Sequence, residues 1–242
     1  MQALYDRIGG DYAQLRRPDP RIEAAIDDAL GPASTVLNVG AGTGSYEPTN
    51  RQVTAVEPSL EMIKQRKPSA VTVVQALAES LPFDDDRFEA SMAILTVHHW
   101  SDRERGLREM RRVTSGRIVL LTFDPSCRPW LTEYLPDLIA IDDAQMPAMS
   151  EYEAWLGEVQ VSPLLVPHDC TDGFLHAYWR RPEAYLDPRV RSGSSAFYAI
   201  GNAKLGLQRL EADLRSGEWE RRYGELRKLG AYDAGYRLVI AE

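Results

Sequence analysis

The feature that most constrains this chain is a glycine-rich turn between two short apolar runs. The first run is TVLNV at residues 35–39, and the second is QVTAV at residues 52–56. Between them lie Gly40, Gly42 and Gly44, each separated from the next by one residue. Glycine adopts positive φ without a steric penalty and lets the backbone approach a ligand closely. The pattern therefore predicts a buried strand, a tight turn at its carboxyl end and a second strand beside it.

Apolar runs and helical patterns continue to alternate along the chain. Further strands are predicted at residues 70–77, 88–97, 117–123, 159–167 and 235–242. Predicted helices cover 20–30, 60–67 capped by Ser59, 102–113 opened by a capping box of Ser101 and Glu104, and 151–158 opened by Ser150 and Glu153. Alternation of this kind implies right-handed crossovers and a parallel sheet covered on both faces. The fold class is therefore α/β, Rossmann-like and doubly wound, with a helical elaboration after Asp124.

Composition excludes several classes of partner. The 242 residues carry a formal net charge of −8, whereas nucleic acids and anionic membranes are bound by clustered lysine and arginine. Cys127 and Cys170 have no metal or redox spacing, which is typical of a reducing cytosol. No signal-peptide core and no window of about eighteen apolar residues is found. We expect a cytoplasmic protein with no nucleic-acid or membrane partner, and a homodimer is compatible with the sequence.

An acidic residue ends the second strand of the glycine unit. In a doubly wound sheet, Glu57 lies over the crevice at the carboxyl ends of the strands, where its carboxylate can accept both hydroxyls of a ribose. A dinucleotide fingerprint would have glycine where this chain has Ser45. An NAD(P)-dependent oxidoreductase is therefore the disfavoured enzyme alternative, and a tight turn with a surface glutamate is the purely structural one.

Four segments, taken in order, resemble class I S-adenosylmethionine-dependent methyltransferases of the small-molecule, type 11 kind. They are VLNVGAGTG at 36–44, VTAVEPS at 53–59, ALAESLPF at 76–83 and ILTVHHW at 94–100. The resemblance implies S-adenosyl-L-methionine as cofactor and S-adenosyl-L-homocysteine as product. It also implies a mostly parallel, seven-stranded sheet whose last strand is antiparallel.

The resemblance further implies a set of cofactor-binding residues. The backbone at Gly40 and Gly42 is expected against the methionine moiety, Glu57 on the ribose, and Ala78 and Glu79 near the adenine. The complete expected set is Tyr12, Arg17, Asn38, Gly40, Ala41, Gly42, Glu57, Pro58, Ala78, Glu79 and Thr96.

Three features depart from the family pattern. Asn38 stands where the family usually has Asp or Glu, and Leu77 stands where an Asp often recognises the adenine amino group. The link from Gly44 to the second strand contains Pro48 and leaves room for barely two helical turns. Asn38 and Leu77 keep a third alternative open, a non-catalytic binding protein with a methyltransferase fold.

A sulfonium methyl is already electrophilic, so no metal is expected and an aligned small-molecule acceptor is the main requirement. A general base is needed only when the acceptor carries a proton, and histidine suits that role. The candidate bases are His98 and His99, which by strand alternation point to opposite sides, and His168 after the sixth strand. The expected reaction is methyl transfer to oxygen or nitrogen of a small organic acceptor.

The predicted organisation is an N-terminal helical arm or lid at residues 1–32, a cofactor-binding core at 33–125, and acceptor-site cap helices with the last strands at 126–242. In the arm, Tyr5 and Tyr12 offer aromatic faces to the sulfonium, and Arg16 or Arg17 can pair with the methionine carboxylate. An amphipathic docking helix is the alternative interpretation of the arm. Aromatic residues of the cap either line an acceptor pocket or fill a core: Trp130, Tyr134, Tyr152, Trp155, Tyr178, Trp179 and Tyr185.

Overall fold

The computed structural model describes residues 15–242, and its centre is a mostly parallel sheet. The strands are β1 (Thr35–Val39), β2 (Gln52–Val56), β3 (Thr72–Val74), β4 (Phe88–Ile94), β5 (Thr114–Phe123), β6 (Val159–Pro163), β7 (Val166–Pro167), β8 (Ala231–Tyr232) and β9 (Tyr236–Ala241). Seven of them form one sheet in the order β3-β2-β1-β4-β5-β9-β6. Within it β9 runs antiparallel to both of its neighbours. The predicted α/β fold with an antiparallel last strand is confirmed.

Helices cover both faces of this sheet. The α-helices are α1 (Pro20–Leu30), α2 (Leu60–Lys64), α3 (Arg103–Val113), α4 (Leu131–Tyr134), α5 (Asp137–Gln145), α6 (Met149–Leu156), α7 (Pro188–Ser192), α8 (Ala196–Ala199), α9 (Lys204–Ser216) and α10 (Glu218–Tyr223). Short 3₁₀ helices occupy Val97–His99, Pro182–Leu186 and Gly224–Lys228. In residues 15–242, none of the helices has the length and apolarity that crossing a membrane requires.

The alternation of side chains along each strand divides the core into two layers. In β1, Val36 faces the layer that contains Ile22 and Ile26 of α1. Its neighbour Leu37 faces the opposite layer, with Leu107 of α3. Because successive side chains of a strand point to opposite faces, both sides of the sheet are apolar and buried. Helix α1 therefore packs as part of the sheet's own core.

Several predicted boundaries are wrong in detail. The third strand is shorter than predicted, the fourth ends at Ile94, and α2 ends at Lys64. The predicted sixth strand divides after Pro163, and its second part pairs with β8 in a separate two-stranded sheet. Pro163 is tolerated there because β6 is an edge strand, and the N–H of the next residue, Leu164, still donates to the Tyr236 carbonyl at 2.9 Å. No helix follows the glycine turn within residues 40–51, where the link is too short to form one.

The two predicted capping boxes are also wrong in their residues. Helix α3 is capped by Asp102, whose carboxylate accepts from the backbone N–H of Arg105 at 3.0 Å. At α6, the carboxylate of Glu151 accepts from the backbone N–H of Ala148 at 2.7 Å. In both places the correct acidic residue lies near the predicted one, so the helix was predictable and its cap was not.

The helical elaboration after Asp124 has a core of its own. Trp130 packs edge-to-face against Trp219 and Tyr185, with ring centroids 5.4 Å and 5.7 Å apart. Tyr134 and Leu210 join the same buried cluster. These aromatic residues therefore stabilise the cap, because their rings pack edge-to-face against each other.

A buried ion pair fastens the beginning of the described chain to the cap side of the fold. Arg16 Nε donates to Asp172 Oδ1 at 2.6 Å, and the Asp172 side chain has no solvent exposure. The hydroxyl of Tyr46, next to the glycine turn, donates to Asp172 Oδ2 at 2.9 Å and accepts from the backbone N–H of Asp19 at 3.3 Å. One carboxylate thus joins three segments that are distant in sequence.

We predict that Asp172→Ala lowers the free energy of unfolding by about 3 kcal/mol, because removing one partner of a buried ion pair leaves the other charge poorly compensated. Urea denaturation of the purified chain measures this. The matched control is Asp169→Ala, which removes a largely exposed partner of Arg21 and is expected to change stability far less. Equal, small effects of the two substitutions would contradict the role given to Asp172.

Candidate functional site

A cleft opens where the carboxyl ends of β1, β2 and β4 meet, which is where open α/β sheets bind ligands. Its volume is about 310 Å³, at the lower end of the range for small-molecule sites. Most of the residues predicted to hold the cofactor lie in its wall, namely Asn38, Gly40, Ala41, Gly42, Glu57, Pro58, Ala78, Glu79 and Thr96. The structure therefore brings residues from four separate sequence segments to one cavity.

The floor of the cleft is the glycine turn. Gly40 and Ala41 both donate their backbone N–H to the carbonyl of Val56, at 2.9 Å and 3.0 Å. Gly40 has φ of +69°, and a Cβ at this position would collide with the side chain of Thr96. Only glycine meets both conditions, which explains the spacing in the sequence. The resulting bare backbone lets a ligand approach β1 closely.

Glu57 is buried at the end of β2, with 7% of its surface exposed. One carboxylate oxygen accepts from the N–H of Gly42 at 2.8 Å, and the other accepts from the N–H of Ser59 at 2.9 Å. Burial raises the pKa of Glu57, against the opposing effect of these two amides and of Arg66. A carboxylate has about four acceptor positions, so two are left for donors in the cleft.

Asn38 belongs to a polar cluster that the sequence did not reveal. Its Nδ2 donates to Glu47 Oε1 at 3.0 Å, and Glu47 Oε2 forms an ion pair with Arg66 at 2.5 Å. The Glu47 and Arg66 side chains are 8% and 7% exposed. The charge expected at position 38 therefore lies on Glu47, behind the cleft wall, where Arg66 neutralises it.

Glu79 and Leu77 shape the rim of the cleft. The Glu79 carboxylate accepts from the Ser101 hydroxyl and backbone N–H, both at 2.7 Å, and from the Asp102 N–H at 3.1 Å. Although burial acts in the opposite direction, these hydrogen bonds lower the pKa of Glu79. Glu79 therefore fixes the loop that precedes α3. Leu77 lines the rim with 56% of its surface exposed and offers an apolar contact.

The arm residues are placed differently from the prediction. Arg16 lines the cleft, whereas Arg17 is exposed and lies outside its wall. Arg17 therefore does not lie in the cleft, where the prediction places it. Arg16 lies there instead, because its ion pair with Asp172 turns the Arg16 side chain inward. Tyr5 and Tyr12 lie outside the described residues.

His98 and His99 lie in the 3₁₀ turn Val97–His99, beyond the end of β4. Their ring centroids are 3.9 Å apart, so the prediction of opposite orientations is wrong, because strand alternation no longer applies after Ile94. Burial lowers the pKa of both rings, that of His99 to about 4. Both histidines are consequently neutral at pH 7.

A second, smaller cavity adjoins the cleft. Its volume is about 70 Å³, and Arg16, Leu95 and His99 line both spaces. Leu95 has φ of +52°, a strained conformation for a branched side chain and one that often marks a functional site. Asp142 and His176 line the far part of this cavity. Sequence reasoning gave neither residue a role, since no motif surrounds them.

Other candidates lie away from both spaces. His168 follows β7, its N–H donates to the carbonyl of Gly230 at 2.9 Å, and it lines neither cavity. The seven cap aromatics named above also line neither cavity, so their interpretation as an acceptor pocket is wrong; they fill the packed interior. Among residues 15–242, no group of three or more His, Cys, Asp or Glu side chains is arranged to hold a metal ion.

The part of the chain that forms the cleft is similar in sequence to known proteins. A family model described as a methyltransferase domain matches residues 37–120, the part of the chain that supplies most of the cleft wall. The rice enzyme 2-methyl-6-phytyl-1,4-hydroquinone methyltransferase 1 is 29% identical over 60% of this chain and 48% of its own length. A ubiquinone/menaquinone biosynthesis C-methyltransferase of Geobacter is 32% identical over 41% of this chain and 50% of its own. The chain spans about half the length of these curated relatives.

A solved structure matches the whole fold. It is a protein of Anabaena variabilis named "putative methyltransferase from antibiotic biosynthesis pathway", with 38% identity and a TM-score of 0.86. The match covers 95% of this chain and 99% of that one, so it includes the cap as well as the sheet. The chain therefore belongs to the class I S-adenosylmethionine-dependent methyltransferases, whose cofactor is S-adenosyl-L-methionine.

Proposed function

We propose that this protein transfers the methyl group of S-adenosylmethionine to an oxygen or nitrogen atom of a small organic acceptor, releasing S-adenosylhomocysteine. The observation that carries the proposal is the junction of two cavities at Arg16, Leu95 and His99. A displacement reaction needs donor and acceptor aligned on one line, with water excluded. Two adjoining spaces that share three lining residues support such an arrangement.

The larger cleft fits the cofactor on the chemistry of its walls. The exposed backbone of the glycine turn accommodates a close ligand, and the Glu57 carboxylate has acceptor positions for a ribose diol. Ala78 and Leu77 offer apolar contacts to a purine. When bound, the cofactor supplies an electrophilic methyl group, so the protein's task is to bind, align and desolvate the reactants.

The smaller cavity fits the acceptor, and His99 fits the role of base when the acceptor carries a proton. The nucleophile's lone pair forms the new bond to carbon, the carbon–sulfur bond breaks toward sulfur, and the proton passes to the ring of His99. Because its ring is neutral at neutral pH, His99 is able to accept that proton. In this proposal, residues 33–125 bind the cofactor, and residues of the arm and the cap form the walls of the acceptor space.

We predict that Glu57→Ala weakens binding of S-adenosylhomocysteine by about 1.5–3 kcal/mol, the usual effect of losing hydrogen bonds to a charged group. Isothermal titration calorimetry measures the affinity directly. Glu61→Ala is the matched control, because Glu61 lies on α2, its side chain is 44% exposed, and it forms an ion pair with nearby Lys64. Unchanged affinity of Glu57→Ala for S-adenosylhomocysteine would contradict the placement of the ribose against Glu57.

We predict that His99→Asn lowers kcat by about a hundredfold or more for a phenol or alcohol acceptor, as expected for loss of a general base. His168→Asn, which alters a histidine outside both cavities, leaves kcat unchanged. Transfer of tritium from methyl-labelled S-adenosylmethionine to a panel of small aliphatic alcohols and amino alcohols, which are small enough for the cavity of about 70 Å³, provides the assay.

The pH profile separates this role from a packing role. The pKa of His99 is about 4, so the acid limb of kcat, measured at saturating acceptor, is expected near pH 4. An ordinary histidine would place that limb near pH 6.5. Equal kcat for His99→Asn and the unsubstituted protein, or an acid limb near pH 6.5 that persists in the variant, would contradict the assignment.

A further inference from the structure

The far wall of the smaller cavity carries a buried carboxylate without a hydrogen-bond partner for one oxygen. Asp142 lies on α5, only 3% of its surface is exposed, and it lines the cavity. Its Oδ2 makes no hydrogen bond with any described residue. Leaving a buried acceptor unpaired is unfavourable, and buried native polar groups are nearly always paired. The arrangement therefore points to a donor that enters from the cavity.

The charge at Asp142 is not balanced within the cavity wall. Burial raises the pKa of Asp142 to about 6, with Arg128 opposing and Asp143 assisting, so the carboxyl is mostly ionised at pH 7. Arg128 forms its ion pair with Asp143, at 2.7 Å, outside the cavity. The cationic Arg16 at the junction is paired with Asp172. Asp142 thus gives the cavity a net negative charge.

The remaining polar groups do not supply a positive charge either. His176 is 2% exposed, and its Nε2 has no hydrogen-bond partner among the described residues. Burial lowers the pKa of His176 to about 3, so the ring is neutral. Its ring stacks on Phe123, with centroids 5.3 Å apart and planes 26° apart.

Aromatic rings complete this wall. Tyr236 packs against Phe123 at 5.5 Å and against Phe174 at 4.6 Å between ring centroids, and all three residues line the cavity. Aromatic faces attract cations, most strongly where water is excluded. A buried carboxylate beside aromatic rings and a neutral imidazole favours an ammonium group over a neutral or anionic one.

We propose that the smaller cavity recognises a cationic amino group through Asp142, so that the methyl acceptor is a small organic amine. This inference rests on the proposed function for its identification of the cavity as the acceptor site. An ammonium N–H donates to Asp142 Oδ2, and the aromatic rings pack against its carbon chain. Before transfer one ammonium proton passes to the Asp142 carboxylate, so the nitrogen gains the lone pair that forms the bond to the methyl carbon while the carbon–sulfur bond breaks toward sulfur. A carboxylate-bearing acceptor would be repelled, and a neutral alcohol would leave the negative charge uncompensated.

The test compares three small probes of similar shape: propylamine, n-propanol and propionate. Small probes are appropriate because the cavity volume of about 70 Å³ is roughly half of what admits benzene. Ligand-observed NMR titration measures their affinities for the full chain, with and without saturating S-adenosylhomocysteine. The protein variants are Asp142→Asn, which keeps the side-chain shape, and Asp143→Asn, which alters the neighbouring exposed carboxylate on the same helix.

We expect propylamine to bind at least about tenfold more tightly than n-propanol or propionate. Asp142→Asn should remove that preference, while Asp143→Asn should retain it. Retained affinity of Asp142→Asn for S-adenosylhomocysteine establishes that the variant is folded. Binding of propylamine no tighter than n-propanol, including no binding of either, overturns the inference, as does an amine preference that survives in Asp142→Asn. If S-adenosylhomocysteine fails to bind while the amine preference holds, the proposed function fails and the amine site stands.

Discussion

The hydrogen bonds between the end of β2 and the glycine turn are the constraint on which the rest of the site depends. Val56 accepts two backbone N–H groups from the turn, and the Glu57 carboxylate accepts a third from Gly42 and a fourth from Ser59. Because these bonds lie in a buried corner, where unpaired groups are costly, they fix the turn and the start of α2 together. The cleft is therefore preformed, with its carboxylate already oriented by the same amides that shape the floor.

Burial also determines the electrostatics of the adjoining spaces. It keeps His98, His99 and His176 neutral, and it raises the pKa of Asp142 to about 6, while Asp142 forms no ion pair among the described residues. Neutral imidazoles at the junction are able to accept a proton, whereas an anion at the far wall selects a cation.

The parts that were predictable from the sequence are those whose determinants lie close together along the chain. Alternating apolar runs, the glycine spacing and Glu57 each depend on neighbours within a strand or turn, and they indicated the sheet and much of the cleft wall. The Arg16–Asp172 pair joins residues 156 positions apart, so no local pattern reveals it. The predicted orientation of His98 and His99 was wrong because the prediction depended on where β4 ends. Hydrogen bonding in the folded sheet decides that boundary. Asp142 and His176 are distant in sequence and line the same cavity only in the folded chain.

A crystal structure of the protein with S-adenosylhomocysteine tests the central claim most directly, because it shows which walls the nucleoside contacts. The account predicts density between the Gly40–Gly42 backbone and Glu57, with both ribose hydroxyls hydrogen-bonded to the Glu57 carboxylate and the sulfur directed toward His99. Density for the nucleoside outside this cleft, or a Glu57 side chain turned to solvent in the complex, would contradict it.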